Sequence, residues 1–174
     1  MPAMDLAAVG SLGGAFIGSV ADSSSNNTNF SLGMWNNGLG AALGIGFMPN
    51  EKRHYGLMVR GRYIVSQTSL DLATHFAAIG AEAFLRLTPS LSLVPTLRGD
   101  WLYFVRVTNS GAPDIQHWGY GAGLGLDYTF VRFDQLSFFA RTEVSGSIIP
   151  HAVLEPRSGL LSGVLMIGAR FSPD

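Results

Sequence analysis

The sequence contains no cysteine, which excludes disulfide frameworks and cysteine-ligated metal sites. Charged residues are scarce at 13% of 174 residues, about half the share found in a soluble domain. The 11 Lys and Arg are balanced by 12 Asp and Glu, so the basic surplus of a nucleic-acid-binding protein is missing. Long apolar runs are missing too. The best uncharged stretch, Leu6 to Ala21, is rich in glycine and shorter than the about 20 residues of a membrane-spanning helix. No Lys or Arg precedes it, which is not typical of a signal peptide.

Apolar and small residues are abundant instead. Hydrophobic residues make up 47% of the chain, and 22 residues are glycine. This hydrophobic content excludes a disordered chain, and the length suits one domain. Because the charges are too few to cover a water-exposed surface, the composition indicates a single membrane domain over residues 1–174.

Apolar residues alternate with small or polar ones along most of the chain. In Gly38 to Phe47 every odd position is apolar, and every even position is Gly or Ala. A period of two is typical of a β-strand, and a tilted strand of about 10 residues crosses a bilayer. Eight such segments are predicted: Leu6–Val20, Gly38–Phe47, His54–Ser66, Ala73–Leu87, Leu91–Val105, Gln116–Phe130, Leu136–Ile148 and Gly159–Phe171.

The links between these segments alternate in length. Three are short and polar, namely Pro49–Arg53, Thr88–Ser90 and Arg132–Gln135. The others are Ala21–Asn37, Gln67–Asp71, Arg106–Asp114 and Pro150–Ser158, and all but the second are longer. Outer-membrane barrels have short periplasmic turns and longer outer loops in this alternation. A soluble lipocalin-like barrel would be charged outside and apolar inside, whereas the polar face here is mostly Gly, Ser and Ala.

The whole chain resembles the small eight-stranded outer-membrane barrels of the OmpA/OmpX type. Its last segment ends Gly168-Ala169-Arg170-Phe171, with Leu165 and Ile167 on the same face as Phe171. That ending is similar to the signal by which the barrel-assembly machinery recognises its clients. Members of the family commonly end at the aromatic residue, so Ser172-Pro173-Asp174 are expected to begin a linker.

The resemblance implies an all-β, eight-stranded antiparallel up-and-down transmembrane β-barrel in the bacterial outer membrane. It also implies outer-membrane lipids and lipopolysaccharide as the surroundings, and the barrel-assembly machinery as a partner during insertion. A membrane or periplasmic protein is a further candidate partner, because the outward alanines Ala77, Ala81 and Ala83 would allow close packing. Nucleic acid is not expected as a partner.

Ten charged residues fall on the face opposite the apolar one. A lipid-facing Arg at mid-bilayer costs about 2–4 kcal/mol, so these residues are predicted to point into the barrel. The interior of eight strands is just wide enough for side chains to fill, and buried charges require partners. The predicted lumen charge network comprises Arg60, Arg62, Glu82, Arg86, Arg98, Asp100, Asp127, Arg141, Glu143 and Arg170.

Tight short links also predict some of the pairs in this network. Asp127 should face Arg141 directly, and Glu82 should lie opposite or diagonal to Arg98. The remaining acids, Glu143 and Asp100, are left for Arg60, Arg62 or Arg86 across the lumen. Room for the long side chains is expected beside the glycine faces of the second and sixth segments, which are Gly38, Gly40, Gly44, Gly46, Gly119, Gly121, Gly123 and Gly125.

Aromatic residues on the apolar face gather near the strand ends, where membrane-interface girdles are expected. The predicted interface aromatics are Phe47, Tyr55, Tyr63, Trp101, Tyr103, Trp118, Tyr120, Tyr128, Phe130 and Phe171.

Catalysis is weakly supported by the sequence. A lipid A deacylase requires a lipid-facing His beside a Ser. His75 has outward parity but no neighbouring Ser, and His117 points inward toward Ser147 and Glu143; His54 and His151 complete the histidines. We therefore predict no enzyme activity, no metal and no cofactor. The predicted function is a structural or interaction barrel with a side-chain-plugged lumen, which stabilises the envelope or docks a partner protein. The alternatives are a narrow channel for small polar solutes and a lipid A-modifying enzyme.

Overall fold

The computed structural model describes residues 1–21, 28–35, 38–69, 72–106, 115–149 and 158–173. These residues form nine antiparallel strands. Their bounds are β1 Pro2–Ala21, β2 Thr28–Trp35, β3 Gly38–Phe47, β4 Tyr55–Ser69, β5 Leu72–Arg86, β6 Leu91–Arg106, β7 Ile115–Phe133, β8 Leu136–Ile149 and β9 Ser158–Phe171. Within the same ranges, no helix is long and apolar enough to cross a membrane.

The sheet closes on itself into a barrel. Strands β3 to β9 pair in chain order, and β1 pairs with both β3 and β9. β2 and β3 follow one another along the same edge of β1, so the nine strands make an eight-membered ring. The predicted eight-stranded antiparallel up-and-down barrel is confirmed.

The first hairpin differs from the sequence prediction. Ala21 to Asn37 was expected to be a loop, but Thr28–Trp35 forms β2 and pairs with Gly14–Ala21 of β1. Apolar and polar residues alternate along β2, and its backbone supplies hydrogen-bond partners for Gly14–Ala21 of β1. β1 also begins at Pro2 rather than Leu6, which brings Asp5 into the barrel wall. In addition, β4 ends only at Ser69 and β5 begins at Leu72, so most of the predicted link Gln67–Asp71 belongs to β4.

One end of the barrel carries the short links, and we call it the turn end. The links there are 48–54, 87–90 and 134–135. Asn50 Oδ1 accepts hydrogen bonds from the backbone of Lys52 and Arg53, and Thr88 Oγ1 accepts from that of Leu91 at 3.0 Å. Asp134 adopts a φ of 47°, a left-handed conformation that Asp tolerates better than most residues. The opposite end is the loop end, and its links lie largely outside the described residues.

Side-chain direction alternates strictly along the strands. On β8, Arg141, Glu143 and Ser145 are buried, whereas Thr142 and Val144 between them are exposed. Two apolar clusters share the interior with the polar residues. Their buried members are Ala7, Val9, Ala42, Ile64, Phe139, Val164 and Met166 in one, and Ala3, Met58, Phe84 and Val94 in the other.

Candidate functional site, the charged interior

The interior holds one connected network of charged side chains. Nine of the ten residues predicted for the lumen lie in it, each at most 6% exposed. The tenth, Arg86, lies at the turn end, where its Nε donates to the carbonyl oxygen of Thr88 at 3.4 Å. Asp5, which the sequence analysis did not include, is 1% exposed and belongs to the network.

Two glutamates and two arginines form a ring at the centre. Arg141 donates from Nη1 to Glu82 Oε2 at 2.7 Å and from Nη2 to Glu143 Oε2 at 3.1 Å. Arg62 holds Glu143 with two parallel bonds of 2.9 Å and approaches Glu82 at 3.6 Å. Paired bonds between a guanidinium and a carboxylate fix both groups in geometry as well as in charge. The ring therefore ties β4, β5 and β8 together across the lumen.

From this ring the network runs to the turn end. Arg60 bridges Glu82 at 2.9 Å and Asp5 at 2.7 Å. Arg170 then joins Asp5 at 3.5 Å to Asp127 at 2.9 Å. Asp5 and Arg170 are direct register partners across the seam between β1 and β9, so this arm closes the barrel from inside.

A shorter arm runs to the loop end. Arg98 donates from Nη1 to Glu143 at 3.0 Å and from Nε to Asp100 at 2.7 Å. Its Nη2 donates to the hydroxyl of Ser147 at 3.1 Å, and that hydroxyl in turn donates to Asp100 Oδ2. The arm thus links β6 to β8.

Aromatic rings lie against the guanidinium groups. Arg170 stands 4.4 Å from the ring centre of Phe139 and 5.3 Å from that of Phe84. Arg98 lies 5.8 Å from the ring centre of Phe76. Such contacts are favourable for buried cations because the ring face carries negative potential.

The network is electrically neutral. Its five cations are Arg60, Arg62, Arg98, Arg141 and Arg170, and its five anions are Asp5, Glu82, Asp100, Asp127 and Glu143. Removing a charge from water costs several kcal/mol unless partners compensate it. Each of the ten residues has at least one ion-pair partner within 4 Å, so each charge is compensated. Five buried polar atoms of the network make no hydrogen bond in the described structure, namely Asp5 Oδ1, Arg60 Nη1, Glu82 Oε1, Arg141 Nε and Arg170 Nε.

Inward glycines provide the space that the network occupies. A Cβ atom on Gly44 would lie 2.6 Å from Asp5 Oδ1, and one on Gly121 would lie 2.8 Å from Asp100 Oδ2. A Cβ atom on Gly123 would lie 3.1 Å from Glu143 Oε1, and one on Gly125 would lie 3.1 Å from Arg141 Nε. These four of the eight predicted glycines therefore leave room for charged side chains, whereas a Cβ atom on Gly40 or Gly46 would meet the backbone of β4 instead.

The register of the strands is as expected, but only some of the expected ion pairs form. Glu143 pairs with Arg62 across the lumen as expected, whereas the other three acids have different partners. Asp127 is opposite Arg141 in the register, yet it pairs with Arg170. Glu82 is diagonal to Arg98, because Gly80 is the residue opposite Arg98, yet Glu82 pairs with arginines of β4 and β8. In a narrow barrel a long arginine reaches across the lumen as easily as to its strand neighbour. Asp5 could have been found, since Ala3, Asp5 and Ala7 continue the inward alternation of β1.

Buried charged and aromatic side chains occupy much of the interior in the described part of the barrel. A polar cavity of about 440 Å³ opens at the turn end, with Arg86, Ser92, Thr129 and Arg132 among its lining residues. Asp127 and Arg170 also line it and connect it to the network. Further from the turn end than Asp127 and Arg170, the interior of the barrel contains the other ion pairs and the buried side chains of Phe84 and Phe139.

The predicted interface aromatics all belong to the outward face of their strands. Phe47, Tyr55, Tyr128, Phe130 and Phe171 are exposed near the turn end, and Tyr63, Trp101, Tyr103, Trp118 and Tyr120 lie toward the loop end.

The histidines lie in different parts of the molecule. His75 is on the outward face, where its Nδ1 lies 2.5 Å from the hydroxyl of Tyr63. His117 is buried in the interior and His54 is exposed, while His151 lies outside the described residues. Among the described residues no group of three or more His, Asp or Glu is placed to hold a metal ion.

No protein-family model matches the sequence. No curated protein matches it either. Among solved structures, it is similar to Ail, the attachment invasion locus protein of Yersinia pestis, in complex with the heparin analogue sucrose octasulfate. That match has 16% identity and a TM-score of 0.56 over 98% of this chain and 100% of that chain. It is also similar to Neisserial surface protein A, with 14% identity and a TM-score of 0.57 over 98% and 97% of the two chains. At these identities the similarity shows the fold, which is that of small outer-membrane β-barrels, as the sequence resemblance predicted.

Proposed function

We propose that this protein is a structural and interaction barrel of the bacterial outer membrane whose lumen is closed by its own side chains. The observation that carries the proposal is the connected, neutral ion-pair network that runs from Asp127 near the turn end to Asp100 near the loop end. A solute would have to break several buried ion pairs to pass, and breaking one such pair costs about 3–5 kcal/mol. The barrel would then act through its outer surface and its links rather than through transport.

The outer-membrane location is supported by the fold and by the distribution of apolar residues. Large apolar side chains such as Leu39, Leu97 and Leu124 are more than half exposed on the outside of the barrel, which suits lipid rather than water. The solved barrels of the same fold carry names that refer to attachment and to the cell surface. Fractionation of native cells tests the location, and recovery of the protein in the inner-membrane or soluble fraction would contradict it.

Conductance in planar bilayers tests the closed lumen. We expect no steady single-channel current from the refolded barrel under conditions in which a 16-stranded porin conducts. A reproducible current that Gly121→Leu abolishes would establish the narrow channel instead, because a side chain on Gly121 projects toward Ser147 and Asp100 in the lumen.

The lipid A-modifying alternative is tested separately. On the described outward face the neighbour of His75 is the hydroxyl of Tyr63, not a serine. We therefore expect lipid A from cells with and without the protein to have the same mass spectrum. A change in acylation that depends on the protein would overturn this part of the proposal.

A further inference from the structure

A second cluster of side chains lies on the outside of the barrel toward the loop end. It consists of Tyr63 on β4, His75 on β5, Trp101 and Tyr103 on β6 and Trp118 on β7, and we call it the loop-end ring cluster. These five rings follow one another in contact across four adjacent strands, with centroids 5.6–6.2 Å apart. Among the described turn-end aromatics, Phe47, Tyr55, Tyr128, Phe130 and Phe171 make no ring contacts with one another, and one edge-to-face pair joins Phe133 to Phe138; no chain of rings across several strands forms there. Anchoring at a membrane interface needs only separate aromatic side chains, so a joined set suggests an additional purpose.

The geometry of the cluster combines a flat apolar platform with polar atoms. Trp101 and Tyr103 are stacked with an interplanar angle of 10°, and Trp118 is 70% exposed beside them. At the other side of the cluster, the hydroxyl of Tyr63 and Nδ1 of His75 are joined by a hydrogen bond of 2.5 Å. This bond orients the imidazole, whose second nitrogen offers a further polar contact.

The backbone beside the cluster is uncovered. Ala77 lies between Tyr63 and Trp101 in the register, so a methyl group separates two large rings. One row further from the loop end, a Cβ atom on Gly61 or Gly99 would meet nothing within 4 Å. Ile79 lies between these two glycines and is 65% exposed, so the row below the rings has two narrow gaps, one on each side of Ile79.

We propose that the loop-end ring cluster binds the sugar headgroup of a glycolipid in the outer leaflet of the membrane. A pyranose ring has one apolar C–H face, which packs on an electron-rich indole or phenol ring, and hydroxyls on its rim that hydrogen-bond to Tyr and His. The gaps at Gly61 and Gly99, on either side of Ile79, would each take an adjoining acyl chain. Because the loop end faces outward when the short turns are periplasmic, the cluster lies at the leaflet where sugar-bearing lipids are found. The inference rests on the proposed outer-membrane location but not on the closed lumen.

Lipid retention by the purified full-length barrel tests this site. The barrel is refolded in phosphatidylcholine nanodiscs with and without lipopolysaccharide, then extracted in mild detergent, and the lipopolysaccharide that stays bound is quantified. Tyr63→Phe and His75→Phe keep a ring and remove a polar atom, and we expect each to lower retention about 3- to 10-fold, as for one lost hydrogen bond. Trp101→Leu removes the platform and should lower retention to a similar degree.

Tyr128→Phe is the matched control, because Tyr128 is 51% exposed at the turn end and Tyr63 is 45% exposed in the cluster. Retention by this variant should equal that of the unmodified protein. Equal losses in the control and in Tyr63→Phe, or no loss in any cluster variant, would overturn the proposal in favour of general interface anchoring. Equal competition by lipid-free core oligosaccharide would overturn the membrane lipid as the source of the sugar.

Heat-modifiable migration on gels confirms that each variant is folded. Chemical shifts of the His75 ring that move on addition of lipopolysaccharide provide a second readout. The result does not depend on whether the lumen conducts.

Discussion

Arg141 and Val144 lie three residues apart on β8, but one is fully buried in the lumen and the other is 63% exposed on the outside. The inward face of the strands carries ionic groups that depend on one another, whereas the outward face carries apolar groups that need only an apolar solvent. In a water-soluble barrel the two faces would be exchanged. The loss of stability caused by a substitution in this barrel therefore depends more on the face that carries the residue than on the size or polarity of the residue removed.

The largest difference between the faces is expected at β8. Arg141→Ala removes the cation that joins Glu82 to Glu143 and leaves the lumen with one excess negative charge. We expect the free energy of unfolding to fall by about 3–5 kcal/mol, measured by guanidinium titration in phospholipid vesicles. Val144→Ala is the control and should cost far less, because the residue contacts lipid. Similar losses in both variants would show that the network contributes little to stability.

Glycine provides a second test of the same comparison. Leu at Gly121 would meet Ser147 Oγ and the backbone oxygen of Gly146, whereas Leu at Gly99 would enter open space on the outside. Gly121→Leu should therefore destabilise the barrel by about 1–3 kcal/mol through overpacking, and Gly99→Leu should be close to neutral. Equal unfolding midpoints for the two variants would contradict a filled lumen.

The smallest expected effect separates the two candidate partners of Asp127. A double-mutant cycle of Asp127→Ala with Arg170→Ala should give a coupling energy of about 0.5–3 kcal/mol, since these two residues are in direct ion-pair contact. The cycle of Asp127→Ala with Arg141→Ala should be nearly additive, although these residues are register neighbours. A larger coupling in the second cycle would favour strand neighbours over partners across the lumen.

The fold could be predicted from the sequence because period-two alternation and link length are local signals. Each of the eight predicted segments overlaps one strand of the ring, and Asp127 does face Arg141. The missed strand β2 lies in a stretch of Ser and Asn whose alternation is short and easily taken for a loop. Asp5 was missed because the first predicted segment begins at Leu6, the residue after Asp5, whereas β1 begins at Pro2.

The ion pairs were not accessible in the same way. Strand register specifies which backbones are adjacent, but an arginine side chain is long enough to choose among acids on several strands. Arg98 illustrates this, because it pairs with Asp100 of its own strand, an acid that was expected to pair across the lumen. The expected pairing of Glu143 with Arg62 across the lumen does form. The same holds on the outside, where the parity of Tyr63, His75 and Trp101 could be read from the sequence but their ring contacts could not.

The seam between β1 and β9 has a consequence for how the barrel forms. Asp5 and Arg170 are separated by 165 residues, so their contact closes a loop of nearly the whole chain and cannot precede the alignment of both chain ends. Contacts of such high sequence separation form late, and substitutions at late contacts change the unfolding rate more than the folding rate. We expect Asp5→Asn to accelerate unfolding in stopped-flow experiments while leaving refolding into vesicles almost unchanged; a slowed refolding phase would place the seam early instead. In an open sheet Asp5 and Arg170 would lie on opposite edges and could not form their ion pair. Pairing of β1 with β9 therefore joins the two edges of the sheet and, in the same step, the part of the ion-pair network that runs to the turn end. Closure of the barrel is cooperative for this reason.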